Sequence, residues 1–201
     1  MKKFIILLIV MLVLTGCSLK KMFVRENEKV EYLTGKHYVE MKVKDYGVIN
    51  LELDADIAPI TVTNFMKLVN EKFYDELTFH RIINGFMVQG GDPYADGTGG
   101  SRDKIKGEFL ANGVENDLSH TRGVISMARS DDYNSASSQF FIMHQDNTDL
   151  DYYYAAFGHV ISGMDVVDKL VLVETIEGMD GFVDKSKQPV IEYVKEIVKE
   201  D

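Results

Sequence analysis

Between Tyr38 and Asp54 the chain reads YVEMKVKDYGVINLELD, with apolar and polar side chains alternating on either side of Asp45-Tyr46-Gly47. Successive side chains on a strand point to opposite faces. The spacing therefore gathers Val39, Met41, Val43, Ile49, Leu51 and Leu53 on one face and sets Tyr38, Glu40 and Lys42 on the other. A two-residue period of that length, broken once by a turn, predicts a β-hairpin with one buried face. Shorter apolar stretches at Phe86 to Gln89, Val124 to Ala128, Gln139 to Met143, Ala155 to Val160 and Val190 to Val198 also read as strands. Helical spacing occurs twice. APITVTNFMKLVNEKFYD has Pro59 near its start and Ile60, Phe65, Leu68 and Val69 on one face, and the segment after Gly163 groups Met164, Val167, Leu170 and Val171. Loops rich in glycine and acid, GGDPYADGTGGSRD and RSDDYNSASS, lie between these elements. Many short strands with two helices predict an antiparallel β architecture, closed or sandwiched.

The 201 residues, 45% of them hydrophobic, suffice for one such core with an extension. The extension is N-terminal. MKKFIILLIVMLVLTGC has two lysines, an apolar run from Phe4 to Leu14 and then small residues, the pattern of an export signal, and the run is too short to cross a bilayer. LTGC, Leu14 to Cys17, looks like a bacterial lipobox, whose cysteine becomes the lipidated first residue. The expected organisation is a signal at 1–16, lipidated Cys17 and a polar tether over 17–36, and a globular domain over 37–201. That places the protein at a bacterial cell membrane, lipid-anchored on the extracytoplasmic face. Cys17 is the sole cysteine, so no disulfide framework exists. Losing Lys2 and Lys3 with the signal lowers the basic count from 22 to 20 against 32 acids, about −12. Such a surface repels nucleic acid and anionic headgroups, so attachment rests on lipid.

The stretch FHRIINGFMVQGGD, Phe79 to Asp92, sets a cation, Arg81, and an amide, Gln89, around Ile82, Ile83, Phe86, Met87 and Val88. A charge stranded in a core is costly, so Arg81 must be paired or face a cleft. No G-x-S-x-G occurs, and the one cysteine belongs to the signal, so nucleophilic hydrolysis has no evident nucleophile. GTGG at Gly97 to Gly100 lacks the third glycine and the strand-to-helix setting of a phosphate loop. His37, His80, His120, His144 and His159 have no metal-ligand spacing, and DNTDLD lacks the glycine and distal glutamate of a calcium loop.

Taken with SMARSDDYNSASSQFFIMH and LDYYYAAFGHV, the Phe79 to Asp92 stretch closely resembles the cyclophilin family of peptidyl-prolyl cis/trans isomerases, from about Tyr38 to Val194. The resemblance implies a mainly β fold, an eight-stranded antiparallel closed barrel capped by two helices, which isomerises X-Pro bonds without cofactor or metal by binding the twisted state, with no covalent step and no proton transfer. It implies that Arg81 is the catalytic arginine, acting with Phe86, Gln89 and Phe141. Phe86, Met87, Phe141 and Leu150 would form a slot for the proline ring, and Gln89 would bond the substrate backbone. The main chain at Ala128 and Arg129 would pair with an extended peptide, while Thr98 and Gly99 would border a second pocket for a residue upstream of the proline. Two positions depart from the family: Asp149 falls where many eukaryotic members have tryptophan, and Tyr154 falls at the family histidine, keeping a ring and a donor in the peptide site. The implied partners are proline-containing segments of exported proteins, met by a monomer that assists their folding. Competing readings are a chaperone-like lipoprotein that uses the groove without catalysis, and a solute-binding lipoprotein, for whose two lobes the chain is too short.

Overall fold

The alternation at Tyr38 to Asp54 folds as a hairpin of β1 (Lys36–Val43) and β2 (Gly47–Asp54), with all six apolar side chains fully buried. The computed structural model describes residues 31–198. The expected signal, Cys17 and the tether as far as Val30 lie outside the described residues. Beyond the hairpin come α1 (Pro59–Asn70), β3 (Thr78–Ile83), β4 (Met87–Asp92), β5 (Val124–Met127), β6 (Phe140–Met143), β7 (Ala156–Ser162), α2 (Met164–Leu170) and β8 (Ile191–Glu196). All pairings are antiparallel, in the order β3-β4-β6-β5-β7-β2-β1-β8.

The closed barrel expected from the sequence is a curled half-barrel. Its two edges, β3 and the start of β8, are joined among the described residues by an isolated bridge from Thr78 to Val190, just before β8, flanked by Phe79 N–H to Pro189 O (2.9 Å) and Ile191 N–H to Leu77 O (2.7 Å). Pro189 has no N–H to extend a ladder at this seam. β3 is also the strand that periodicity did not predict. Its register with β4 slips on both sides of Phe79, leaving His80 unpaired between the Phe79–Gly90 and Arg81–Gln89 pairs. Phe79 and His80 are therefore both buried in succession, and the alternation is lost.

The first helix begins at Pro59, where the ring fixes a helical φ and no N–H is missed. Its open N–H groups at Ile60 and Thr61 donate to the buried Glu108 carboxylate (3.1 and 2.7 Å), which also suits the positive end of the helix dipole. The helix stops at Asn70, earlier than its apolar pattern suggests. Lys72 takes a left-handed φ of 56°, with Lys72 N–H bonded to Val69 O and Phe73 N–H to Leu68 O (both 2.9 Å), a Schellman ending that swings Tyr74 into the core. There Phe65, Tyr74, Phe140 and Phe157 form an aromatic cluster, with Phe65 4.9 Å from Tyr74 and edge-on to Phe140 at 5.8 Å.

Two histidines are fully buried. Burial pushes the pKa of His80 down, opposed by the nearby Asp92, and neither of its ring nitrogens has a hydrogen-bond partner among the described residues. Burial likewise pushes His120 down, opposed by its hydrogen bond with Asp151. A folded-state pKa below the unfolded value means that the unfolded chain binds more protons. The stability from keeping these rings neutral is thus complete above about pH 6.5 and is lost as pH falls toward the folded values. The melting temperature should accordingly drop between about pH 7 and pH 5. His80→Phe, which abandons no hydrogen bond, should show a smaller drop, and an equal drop in both proteins would remove His80 from the account.

Candidate active site

Cross-strand register builds the site. Arg81 on β3 pairs with Gln89 on β4, Gln89 with Phe141 on β6, and Phe141 with Ser126 on β5. Directly paired residues share a face of the sheet, so these four side chains form one row across four strands. Ile83, Met87 and Met143 form a parallel row two residues along. The row between them, Ile82, Val88, Ile142 and Ile125, points the other way into the main core and is at most 1% exposed. On the site's face Met87, Val124, Phe141, Met143 and Ala156 form a second apolar cluster, with Phe86, Leu150 and Tyr154 packed against it.

Arg81 stands at the edge of that cluster. Its Nη1 donates to Gln89 Oε1 (3.3 Å), its Nε to Asp180 O (3.0 Å) and its Nη2 to Asp180 Oδ2 (2.7 Å). The side chain keeps 21% of its surface exposed, so the charge is paired and also faces a cleft. Gln89 in turn donates through Nε2 to Gln139 Oε1 (2.8 Å), and Gln139 Nε2 donates to Gly97 O and Gly99 O (3.0 and 2.8 Å). One hydrogen-bonded chain therefore runs from Asp180 through Arg81, Gln89 and Gln139 to the GTGG loop.

A cavity of about 230 Å³ lies between these groups, lined by Arg81, Phe86, Met87, Gln89, Ala128, Arg129, Phe141, Leu150 and Tyr154. All nine were singled out from the sequence. Thr98 and Gly99 line a neighbouring cavity of about 420 Å³, which shares Gln89, Ala128 and Arg129 with the first. The wall between Tyr94 and Gly97 is fixed by buried Asp92, whose carboxylate accepts from the N–H groups of Tyr94 (2.8 Å), Asp96 (3.2 Å) and Gly97 (2.6 Å). Gly99 packs so close that a Cβ there would collide with Asp92 Oδ1. Asp149 is exposed on the turn Thr148–Leu150, and its neighbour Leu150 reaches the cavity.

The Ala128 N–H already donates to Gln139 O (2.9 Å) and is not available to an extended peptide. The Arg129 guanidinium is committed internally: Nε donates to Tyr153 O (2.9 Å), Nη1 to Ser130 O (2.8 Å), and the group lies over the rings of Phe109, Tyr133 and Tyr154 at 4.7 to 5.2 Å. It props the Tyr154 ring edge-on against Phe141, at 5.7 Å between centroids.

Behind Phe141, His120 is stacked at 6.0 Å and is bonded to Asp151 Oδ1 through Nδ1 (2.8 Å) and to Ser126 Oγ through Nε2 (3.0 Å). The order serine, histidine, aspartate resembles a hydrolytic triad, but Ser126 and His120 are fully buried, and a nucleophile needs access to substrate. Burial pushes the Asp151 carboxyl up, yet hydrogen bonds from Ser119 and from the main chain and ring of His120 outweigh it and hold the pKa below the usual range. Two of the three carboxylates of DNTDLD are thus structural: Asp151 as described, and Asp146 accepting from Arg122 N–H (2.7 Å). Sequence reading missed Asp180 and the role of Gln139. Asp180 lies 99 residues from Arg81 and carries no local signal, whereas Gln139 sits inside SSQFFI and its amide next to buried strand residues marks a polar group in need of partners.

Residues 38–195 match the family model described as cyclophilin type peptidyl-prolyl cis-trans isomerase/CLD. The chain is 40% identical over 158 residues to peptidyl-prolyl cis-trans isomerase A of Dickeya dadantii, covering 76% of this chain and 80% of that one. It is 44% identical over 123 residues to peptidyl-prolyl cis-trans isomerase B of Bacillus subtilis, covering 61% and 82%. A crystal structure of a cyclophilin type peptidyl-prolyl cis-trans isomerase from Cryptosporidium parvum superposes with a TM-score of 0.73 at 26% identity, covering 83% of this chain and all of that one. A second crystal structure of that type from the same organism, in the presence of the dipeptide Ala-Pro, gives 0.71 at 26% identity, covering 81% and 99%. With its fold, its match over 38–195 and its relatives in agreement, the chain belongs to the cyclophilin-type peptidyl-prolyl cis-trans isomerases.

Proposed function

We propose that the 230 Å³ cavity receives the proline ring of an X-Pro segment and that Arg81 lowers the barrier to rotation. That barrier, roughly 20 kcal/mol, reflects the amide resonance lost at the twisted geometry, where the prolyl nitrogen regains a lone pair. A guanidinium donor aimed at that lone pair binds the twisted state more tightly than either planar state, and no covalent or proton-transfer step is needed. The observation that carries this role is the row of Arg81, Gln89 and Phe141 across three strands, which sets a half-paired cation beside an apolar floor. Phe86, Met87, Phe141 and Leu150 supply the floor and sides, and Gln89 fixes the substrate backbone. The Ala-Pro dipeptide present with the Cryptosporidium parvum protein supports a proline-containing occupant. Arg81→Ala should lower kcat/KM for peptide exchange at least about tenfold with little change in melting temperature, since a charge-assisted hydrogen bond is worth about 1.5 to 3 kcal/mol. Phe141→Ala should instead weaken peptide binding and also cost about 3 to 5 kcal/mol of stability, because that ring is 5% exposed and doubles as packing. A folded Arg81→Ala protein as fast as wild type would leave a peptide-binding groove without this mechanism.

The wider role is an isomerase held at a bacterial membrane by lipid on Cys17, assisting the folding of exported proteins from the extracytoplasmic face. It is supported by the two lysines, apolar run and LTGC that open the chain, and by an acidic composition that gives anionic headgroups nothing to attract. Fractionation of the native host should find the wild-type protein with membranes and Cys17→Ala either released or unprocessed. Processing and retention of Cys17→Ala like wild type would remove the lipid anchor from the account.

A further inference from the structure

The segment after α2 returns to the active site and ends against Arg81. Ile176 N–H donates to Phe182 O (2.7 Å) and Phe182 N–H to Met179 O (3.0 Å), closing a tight loop. Ile82 N–H donates to Gly181 O (2.8 Å) and Val183 N–H to His80 O (3.0 Å), so the loop is fastened to β3 on both sides of Arg81. Gly181, at φ +81°, packs where a Cβ would collide with Ile83 and the Ile82 carbonyl. The geometry points to Asp180 as a positioning residue for Arg81, on the footing that Arg81 acts on the prolyl nitrogen. Asp180 takes two donors of the guanidinium with two different acceptors, its own carbonyl and its carboxylate, which fixes both the place and the tilt of the plane. Gln89 takes a third. A guanidinium has five N–H donors, so two remain for substrate. An arginine side chain loses rotamer freedom when held in one geometry, and a loop that holds it before substrate arrives removes that cost from the rotation step.

The test uses Asp180→Gly and Asp180→Asn in the full chain. Glycine is the appropriate deletion because Asp180 has a φ of +46°, which alanine would strain, while asparagine tolerates that φ and retains an oxygen to accept from Nη2. Asp180→Gly should lower kcat for exchange of a short X-Pro peptide by about tenfold with KM within about twofold, and Asp180→Asn should recover most of the loss. Combined with Arg81→Ala, Asp180→Gly should have no further effect. An unchanged or faster Asp180→Gly enzyme would overturn the positioning role, and so would an equal loss in the Arg81→Ala background. If Arg81→Ala alone proves silent, it is the role of Arg81 that fails.

Discussion

The pleat of four strands organises everything else in this molecule. Because residues alternate between faces, β3, β4, β6 and β5 give Ile82, Val88, Ile142 and Ile125 to the main core and Arg81, Gln89, Phe141 and Ser126 to the opposite face. Such strands are buried on both sides, which is why FFIM reads as an unbroken apolar run and VISM is interrupted only by Ser126. A slip of one residue in the β3–β4 register would send Arg81 into the core and an isoleucine to the cleft, so the hydrophobic pattern that folds the half-barrel also places the cation. Fold and site are specified by the same interaction.

The cation itself is restrained from two directions. Gln89 holds it from within the sheet, and Asp180 holds it from a loop that arrives 99 residues later. The exposed surface of the pair limits its contribution to stability to about a kilocalorie per mole, so its significance is geometric. Rotation about a prolyl bond presents no leaving group and no proton to move, which leaves orientation and electrostatics as the available sources of acceleration. The Asp92-braced loop and the Arg129–Tyr154–Phe141 stack serve the same end, holding the two cavities' walls by buried or aromatic contacts.

What could be read from the sequence were features whose cause is local. The hairpin followed from its alternation, and the nine residues of the smaller cavity followed from the family resemblance carried by the motifs around Arg81, Phe141 and Tyr154. Features set by distant partners were not legible. β3 escaped notice because a bulge at His80 breaks its period, and the end of α1 because a lysine rather than a glycine takes the left-handed position. The open seam at Pro189, the carboxylate of Glu108 under α1 and the hold of Asp180 on Arg81 each depend on chain segments brought together by folding alone.

The central claim is that Arg81 acts on the twisted bond through a planar group held in one orientation. The most direct measurement is exchange NMR on a short X-Pro peptide with wild type and Arg81→Lys, reading binding and exchange rate separately. Lysine keeps the charge but cannot engage Gln89 and both acceptors of Asp180 while presenting two donors to substrate. The account predicts binding within about twofold and exchange at least about fivefold slower. Exchange at the wild-type rate in Arg81→Lys would show that charge alone suffices and would contradict it.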